Sequence, residues 1–153
     1  MKHWMAGLGA VVLMGAAPML EAMAQPSPST VVTQRREGFK AAGDNMTAVA
    51  AVARAGGDPR GTVERIAAIQ AWFATAGNYF PAGTQQGAAG LDTRALPAIW
   101  TDRAGFDAAM AAVQPRLAAL REAAASGNVA NFQAAVQATG AACGDCHRPY
   151  RAR

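Results

Sequence analysis

Cysteine and histidine are scarce in this chain, with two of each among 153 residues. A structural zinc site needs four such ligands. One histidine, His3, lies in an N-terminal segment that reads as removable, so the remaining groups fall short of a zinc site. Aromatic residues make up only 7% of the sequence, and β-branched residues are sparse outside a few spaced positions. That disfavours strands, while the abundance of alanine favours helices. No basic stripe with interleaved aromatics is present, which argues against nucleic-acid binding. The formal net charge of +4 is modest and scattered, and it reads as the solvated surface of helices. Beyond the first 20 residues no apolar run approaches the roughly 20 residues a spanning helix needs. No internal repeat stands out beyond a heptad-like rhythm.

The N-terminus reads as an address. Lys2 supplies a positive charge, Met5 to Ala17 is an uncharged and mostly apolar run, and Pro18 interrupts it. Ala22-Met23-Ala24 then forms a small-x-small cleavage site, completing the pattern of a secretory signal peptide. The expected organisation is a cleaved signal at 1–24 and one domain at 25–153, with no membrane insertion after cleavage. The short signal, without Arg-rich transit character, points to a bacterial periplasm, an oxidising compartment.

Four amphipathic segments follow. Val32, Arg35/Arg36, Phe39, Ala42/Gly43, Met46, Val49/Ala50 and Ala53 recur in steps of three and four, which predicts a helix stopped by Gly56-Gly57. Asp58-Pro59 is a helix restart, a capping side chain followed by proline. The second stripe runs Val63, Ile66, Ile69/Gln70, Phe73, Ala76/Gly77, Phe80, and its helix should end near Tyr79, before Pro81. Residues 81–98 carry Gly83, Gly87, Gly90 and Pro97, and predict a long loop of the kind that wraps something or is functional. Thr101 is expected to cap the third helix, whose stripe is Phe106, Met110, Val113, Leu117, Leu120, Ala124. Pro115 should kink that helix or loosen one hydrogen bond. After Ser126-Gly127-Asn128 the fourth stripe is Phe132, Val136, Thr139/Gly140, Cys143, Cys146/His147, Tyr150. Four helices of roughly 18 to 25 residues, with short first-to-second and third-to-fourth links, predict an all-α fold, an antiparallel up-down four-helix bundle. So many stripe positions are alanine that either a buried prosthetic group or tight alanine packing must fill the core.

Cys143-Gly144-Asp145-Cys146-His147 is the one strong chemical motif. Two thiols three residues apart can add across the two vinyl groups of one haem, and the adjacent histidine then reaches the iron. On a helix Cys143, Cys146 and His147 share one side, and that side is the core stripe. A thioredoxin-like redox pair expects a strand–helix context, and a plain disulfide leaves the histidine unexplained. The predicted cofactor is therefore one haem c, bound covalently through Cys143 and Cys146, ligated by His147 and enclosed by the bundle. Its two propionates would offset about half of the net charge, each carrying about −1 at neutral pH.

An all-helical chain with Cys-x-x-Cys-His at its C-terminal end resembles the class II c-type cytochromes, specifically the cytochrome c′ family. The likeness includes Arg35 to Lys40, Phe80-Pro81-Ala82-Gly83-Thr84, Ala98-Ile99-Trp100, and Cys143 through Arg151. The resemblance implies the same four-helix bundle, often a homodimer through the first two helices. It implies that Phe39 covers the iron face opposite His147. Phenylalanine has no lone pair to donate, so the iron would be five-coordinate and largely high-spin. It places Arg35, with Arg36 as a substitute, near a haem propionate, and Arg151 beside the exposed edge of His147. Pro149 departs from the pattern and crowds the carbonyl of Asp145. The function implied is electron transfer with periplasmic redox partner proteins, binding of nitric oxide and carbon monoxide, or both. Catalysis is not expected, because the first-helix stripe holds no distal His/Arg pair to assist peroxide cleavage. The alternative is a six-coordinate, low-spin electron carrier of the c-556 type, with Met46 as the sixth ligand.

Overall fold

The structure, a computed structural model, describes residues 26–153. The expected signal peptide at 1–24 lies outside the described residues. The first helix, α1 (Pro28–Ala55), begins with Pro28 in its first turn behind Ser27, whose hydroxyl accepts from the Thr30 amide at 3.2 Å. It ends at Gly56, whose φ of 65° is the left-handed geometry that glycine adopts without strain. Asp58 then accepts from the Arg60 amide at 3.0 Å and starts a 3-10 turn, Pro59–Thr62, that feeds α2 (Val63–Thr75). Regular α geometry stops four residues short of the expected end and continues as a second 3-10 turn, Ala76–Tyr79. Gly77 lowers the local helix propensity, and Pro81 disfavours helical geometry at Phe80, which sits at φ −125°, ψ 56°.

The loop that follows holds a single helical turn that the periodicity did not reveal, α3 (Ala98–Thr101). Thr101 is therefore not the cap of the next helix. Its amide donates to the carbonyl of Pro97, the residue before α3, at 3.2 Å, so Thr101 belongs to that turn and the chain breaks one residue later. The cap is Asp102, whose carboxylate accepts from the Gly105 amide at 3.1 Å and starts α4 (Arg103–Ser126). Pro115 lies inside α4, which is continuous through it. Gly127, at φ 73°, and Asn128, accepting from the Asn131 amide at 2.9 Å, turn the chain into α5 (Val129–Tyr150). The lengths spread more widely than the sequence pattern suggests, with 28 residues in α1 and 13 in α2.

The helices pack in a ring, α1 on α2, α2 on α4, α4 on α5, with α5 returning to α1. The α4–α5 contact is the most extensive and the α1–α5 contact the least. Three apolar clusters are stacked along the bundle. Val49, Ile66, Leu120 and Phe132 fill the end near the short links. Ala42, Ile69, Val113 and Leu117 form the middle. Phe80, Ile99, Phe106 and Tyr150 close the loop end. Each fully buried large side chain contributes about 1.5–3 kcal/mol through removal from water. The thin α1–α5 seam is where the bundle opens.

Candidate haem site

A cleft of about 1120 Å³ lies along that seam, somewhat above the ~300–1,000 Å³ typical of small-molecule pockets. Cys143, Cys146 and His147 line it from α5, and Arg35, Phe39 and Met46 line it from α1. The spacing on α5 is one turn of helix, so the three groups reach the cleft together. Both thiols are free and half-buried. Burial pushes both thiol pKa values up, and the neighbouring Cys143 raises that of Cys146 further. His147 is exposed to the open cleft. The protein mass behind it lowers its pKa by desolvation, and the charge of Arg151 adds to the effect.

The last turn of α5 carries Pro149 and is nevertheless held firmly. The Arg151 amide donates to the His147 carbonyl at 3.0 Å. The Leu96 amide donates to the Tyr150 carbonyl at 3.0 Å, and the Ala152 amide to the Arg94 carbonyl at 2.8 Å. The buried Tyr150 hydroxyl donates to the Asp102 carboxylate at 2.7 Å. These contacts tie the segment after His147 to the loop and to the start of α4. They bring Arg151, which is exposed, to the rim of the cleft.

Arg35 is only 3% exposed. Its guanidinium donates to the carbonyls of Tyr79 at 3.0 Å and Thr84 at 2.8 Å, and to the hydroxyls of Thr84 at 3.0 Å and Thr93 at 2.6 Å. It also lies 4.6 Å from the centroid of the Phe80 ring. Burial lowers its pKa to about 10, so it stays charged at neutral pH. Among the described residues no carboxylate pairs with it. Arg36, one residue on, instead points to the surface and pairs with Asp92 at 2.5 Å.

Phe39 sits in a cage of rings, 5.4 Å from Trp72, 5.8 Å from Phe73 and 6.2 Å from Phe80, all edge-to-face. Met46 lines the cleft two turns along and packs against the middle and link-end clusters. Thr84 and Thr93, which bind Arg35, were not singled out individually from the sequence. For Thr93 the sequence signal was the long loop, and for Thr84 it was the loop and the Phe80–Thr84 segment that carries the family likeness. Trp72 was also missed, because it falls off the second helix's stripe.

These features fit a haem. The cleft is walled mainly by apolar side chains, two unpaired thiols and an imidazole open onto it, and Arg35 places a cation without an anionic partner at its wall. Fold and motif together define a class, the c-type cytochromes built as four-helix bundles. The family described as Cytochrome C′ matches residues 30–151, and the chain belongs to that family. Cytochrome c′ of Rubrivivax gelatinosus is 32% identical over 126 residues, 81% of this chain and 95% of that protein. A crystal structure of cytochrome c′ from the same organism superposes with a TM-score of 0.72 at 31% identity, covering 82% of this chain and 97% of the other. A cytochrome c-554 from Cereibacter sphaeroides is 42% identical over 72 residues, 47% of this chain and 46% of the relative. The nitric oxide complex of a cytochrome c′ mutant from Alcaligenes xylosoxidans superposes with a TM-score of 0.72 at 25% identity, covering 83% and 98%. The family carries haem c, and the single pair of cysteines here matches one such group. Its members are haem proteins of electron transfer and of nitric oxide and carbon monoxide binding. Among the described residues no helix is long and apolar enough to cross a membrane.

Proposed function

We propose that this chain is a periplasmic cytochrome that transfers electrons and binds nitric oxide and carbon monoxide at a five-coordinate iron. Cys143 and Cys146 would hold the haem by thioethers, and His147 would be the one protein ligand to iron. Bound, the haem supplies a ferric–ferrous couple and an iron able to take diatomic gases. The chain's own residues set the conditions. Phe39 closes the far wall with a side chain that neither ligates nor hydrogen-bonds, which disfavours water and leaves dioxygen poorly stabilised. Arg35 would offer its charge and its remaining Nε–H to a propionate, because its four terminal N–H groups are engaged by Tyr79, Thr84 and Thr93. Arg151 lies at the rim of the cleft that His147 lines, so its charge would act on the iron from outside the ligand set. Periplasmic redox proteins are the proposed protein partners, and a homodimer through α1 and α2 is the proposed assembly, to be checked by sedimentation of the holoprotein.

The observation that carries this reading is Phe39, a non-ligating ring on the α1 wall of the cleft whose α5 wall bears Cys143, Cys146 and His147. The nitric oxide complex formed by a relative of the same fold adds support. The second reading, a six-coordinate electron carrier, is favoured by Met46, which lines the same wall as Phe39. Carbon monoxide and nitric oxide titrations of the ferrous protein separate the two. Direct adduct formation is expected, whereas an iron that binds neither gas supports the methionine ligand. A pyridine haemochrome assay without covalent haem would overturn both.

A further inference from the structure

We infer that Trp72 is a positioning residue that holds Phe39 against the cleft and thereby sets how fast diatomic gases reach the iron. This rests on the reading of Phe39 as the cover of the iron. To admit a ligand, the Phe39 ring must turn away from the cleft, and the space behind it is taken. Phe73 and Phe80 line the cleft beside it, but Trp72 does not line the cleft and backs the ring at 5.4 Å with an interplanar angle of 87°. Trp72 is half-buried, and two neighbours hold its ring in place. Its six-membered ring lies on the α1 backbone at Gly38, where a Cβ atom would fall 2.3–2.4 Å from three of its carbons. Tyr79 also packs against it, with ring centroids 5.0 Å apart and the planes tilted by 35°.

The indole N–H gives a second, independent sign. Trp72 Nε1 is buried and has no hydrogen-bond partner among the described residues. An unpaired buried donor is destabilising, so hydrogen bonding does not account for an indole here. The shape of the ring does. It is wide enough to span from the Gly38 notch to the edge of Phe39, and a smaller side chain would leave Phe39 free to swing.

Carbon monoxide association with the ferrous holoprotein, followed by stopped flow, tests this. Phe39→Ala tests the cover itself and should raise the association rate. Trp72→Leu should raise it about two- to tenfold, the rate equivalent of one lost edge-to-face contact. The same substitution in a Phe39→Ala background should change nothing further, because the two residues act as one unit. Trp72→Phe, which keeps an aromatic core, should give a smaller rise in the same direction, and it carries the test where the leucine variant fails to fold. A faster Phe39→Ala protein together with unchanged Trp72 variants would overturn the inference and leave the cover intact. A Trp72→Leu effect equally large without Phe39 would overturn it as well, showing a loosened bundle. An unchanged rate in Phe39→Ala would remove the cover and the inference with it.

Discussion

Gly38→Ala should destabilise the protein although it replaces glycine by the best helix former in the interior of α1. In an open helix this exchange gains about 1 kcal/mol. Here the new methyl group would meet three ring carbons of Trp72 at 2.3–2.4 Å, more than 1 Å inside ordinary contact. The ring is rigid and is held in turn by Phe39 and Tyr79, so relief requires displacement of a packed aromatic group. Overpacking of this kind costs about 1–3 kcal/mol, and the three simultaneous overlaps place it in the upper half of that range. The net expectation is a loss of about 1–2 kcal/mol. Gly61→Ala is the matched control. Gly61 is exposed, has an ordinary φ and has nothing within 4 Å of an added Cβ, so it should gain about 0.4–1 kcal/mol. Guanidinium unfolding of the holoproteins, followed by far-UV circular dichroism, should move the two midpoints in opposite directions at unchanged slope. A Gly38→Ala midpoint at or above that of the wild type would refute the packing argument.

Phe132→Ala removes a ring with no exposed surface from the cluster of Val49, Ile66 and Leu120, and should cost about 3–5 kcal/mol in the same assay. The Tyr150 phenol is pushed up to about 12, first by its hydrogen bond to Asp102, then by burial and the Asp102 charge. The stability from that shift is present below pH 10 and lost as pH rises towards about 12, so a near-ultraviolet titration should show one phenol ionising late. Asp102→Asn should return that phenol towards its ordinary value. Cys146→Ala should leave one thioether, through Cys143, and move the pyridine haemochrome band to longer wavelength.

The helices were legible where local chemistry decides. Gly56 and Gly127 stop helices because they take the left-handed geometry, and Asp58 and Asn128 restart them with capping oxygens. The cap of α4 was misplaced by one residue because α3, a single turn, leaves no periodic signature. The shared face of Cys143, Cys146 and His147 also followed from helical spacing alone. The surroundings of Arg35 did not. A stripe of apolar and small residues gives no warning that an arginine within it is buried, since its partners Thr84 and Thr93 lie 49 and 58 residues away along the chain. Trp72 was hidden for a related reason. It sits off the stripe of α2, and only the absence of a side chain at Gly38 lets it pack there.

The central claim is a covalently held haem whose iron has His147 on one side and only Phe39 on the other. The most direct measurement is the electron paramagnetic resonance spectrum of the ferric holoprotein, taken with its near-infrared absorption. A high-spin signal with no sulfur-to-iron charge-transfer band is the predicted result. A low-spin signal accompanied by that band would contradict it and assign the sixth position to Met46.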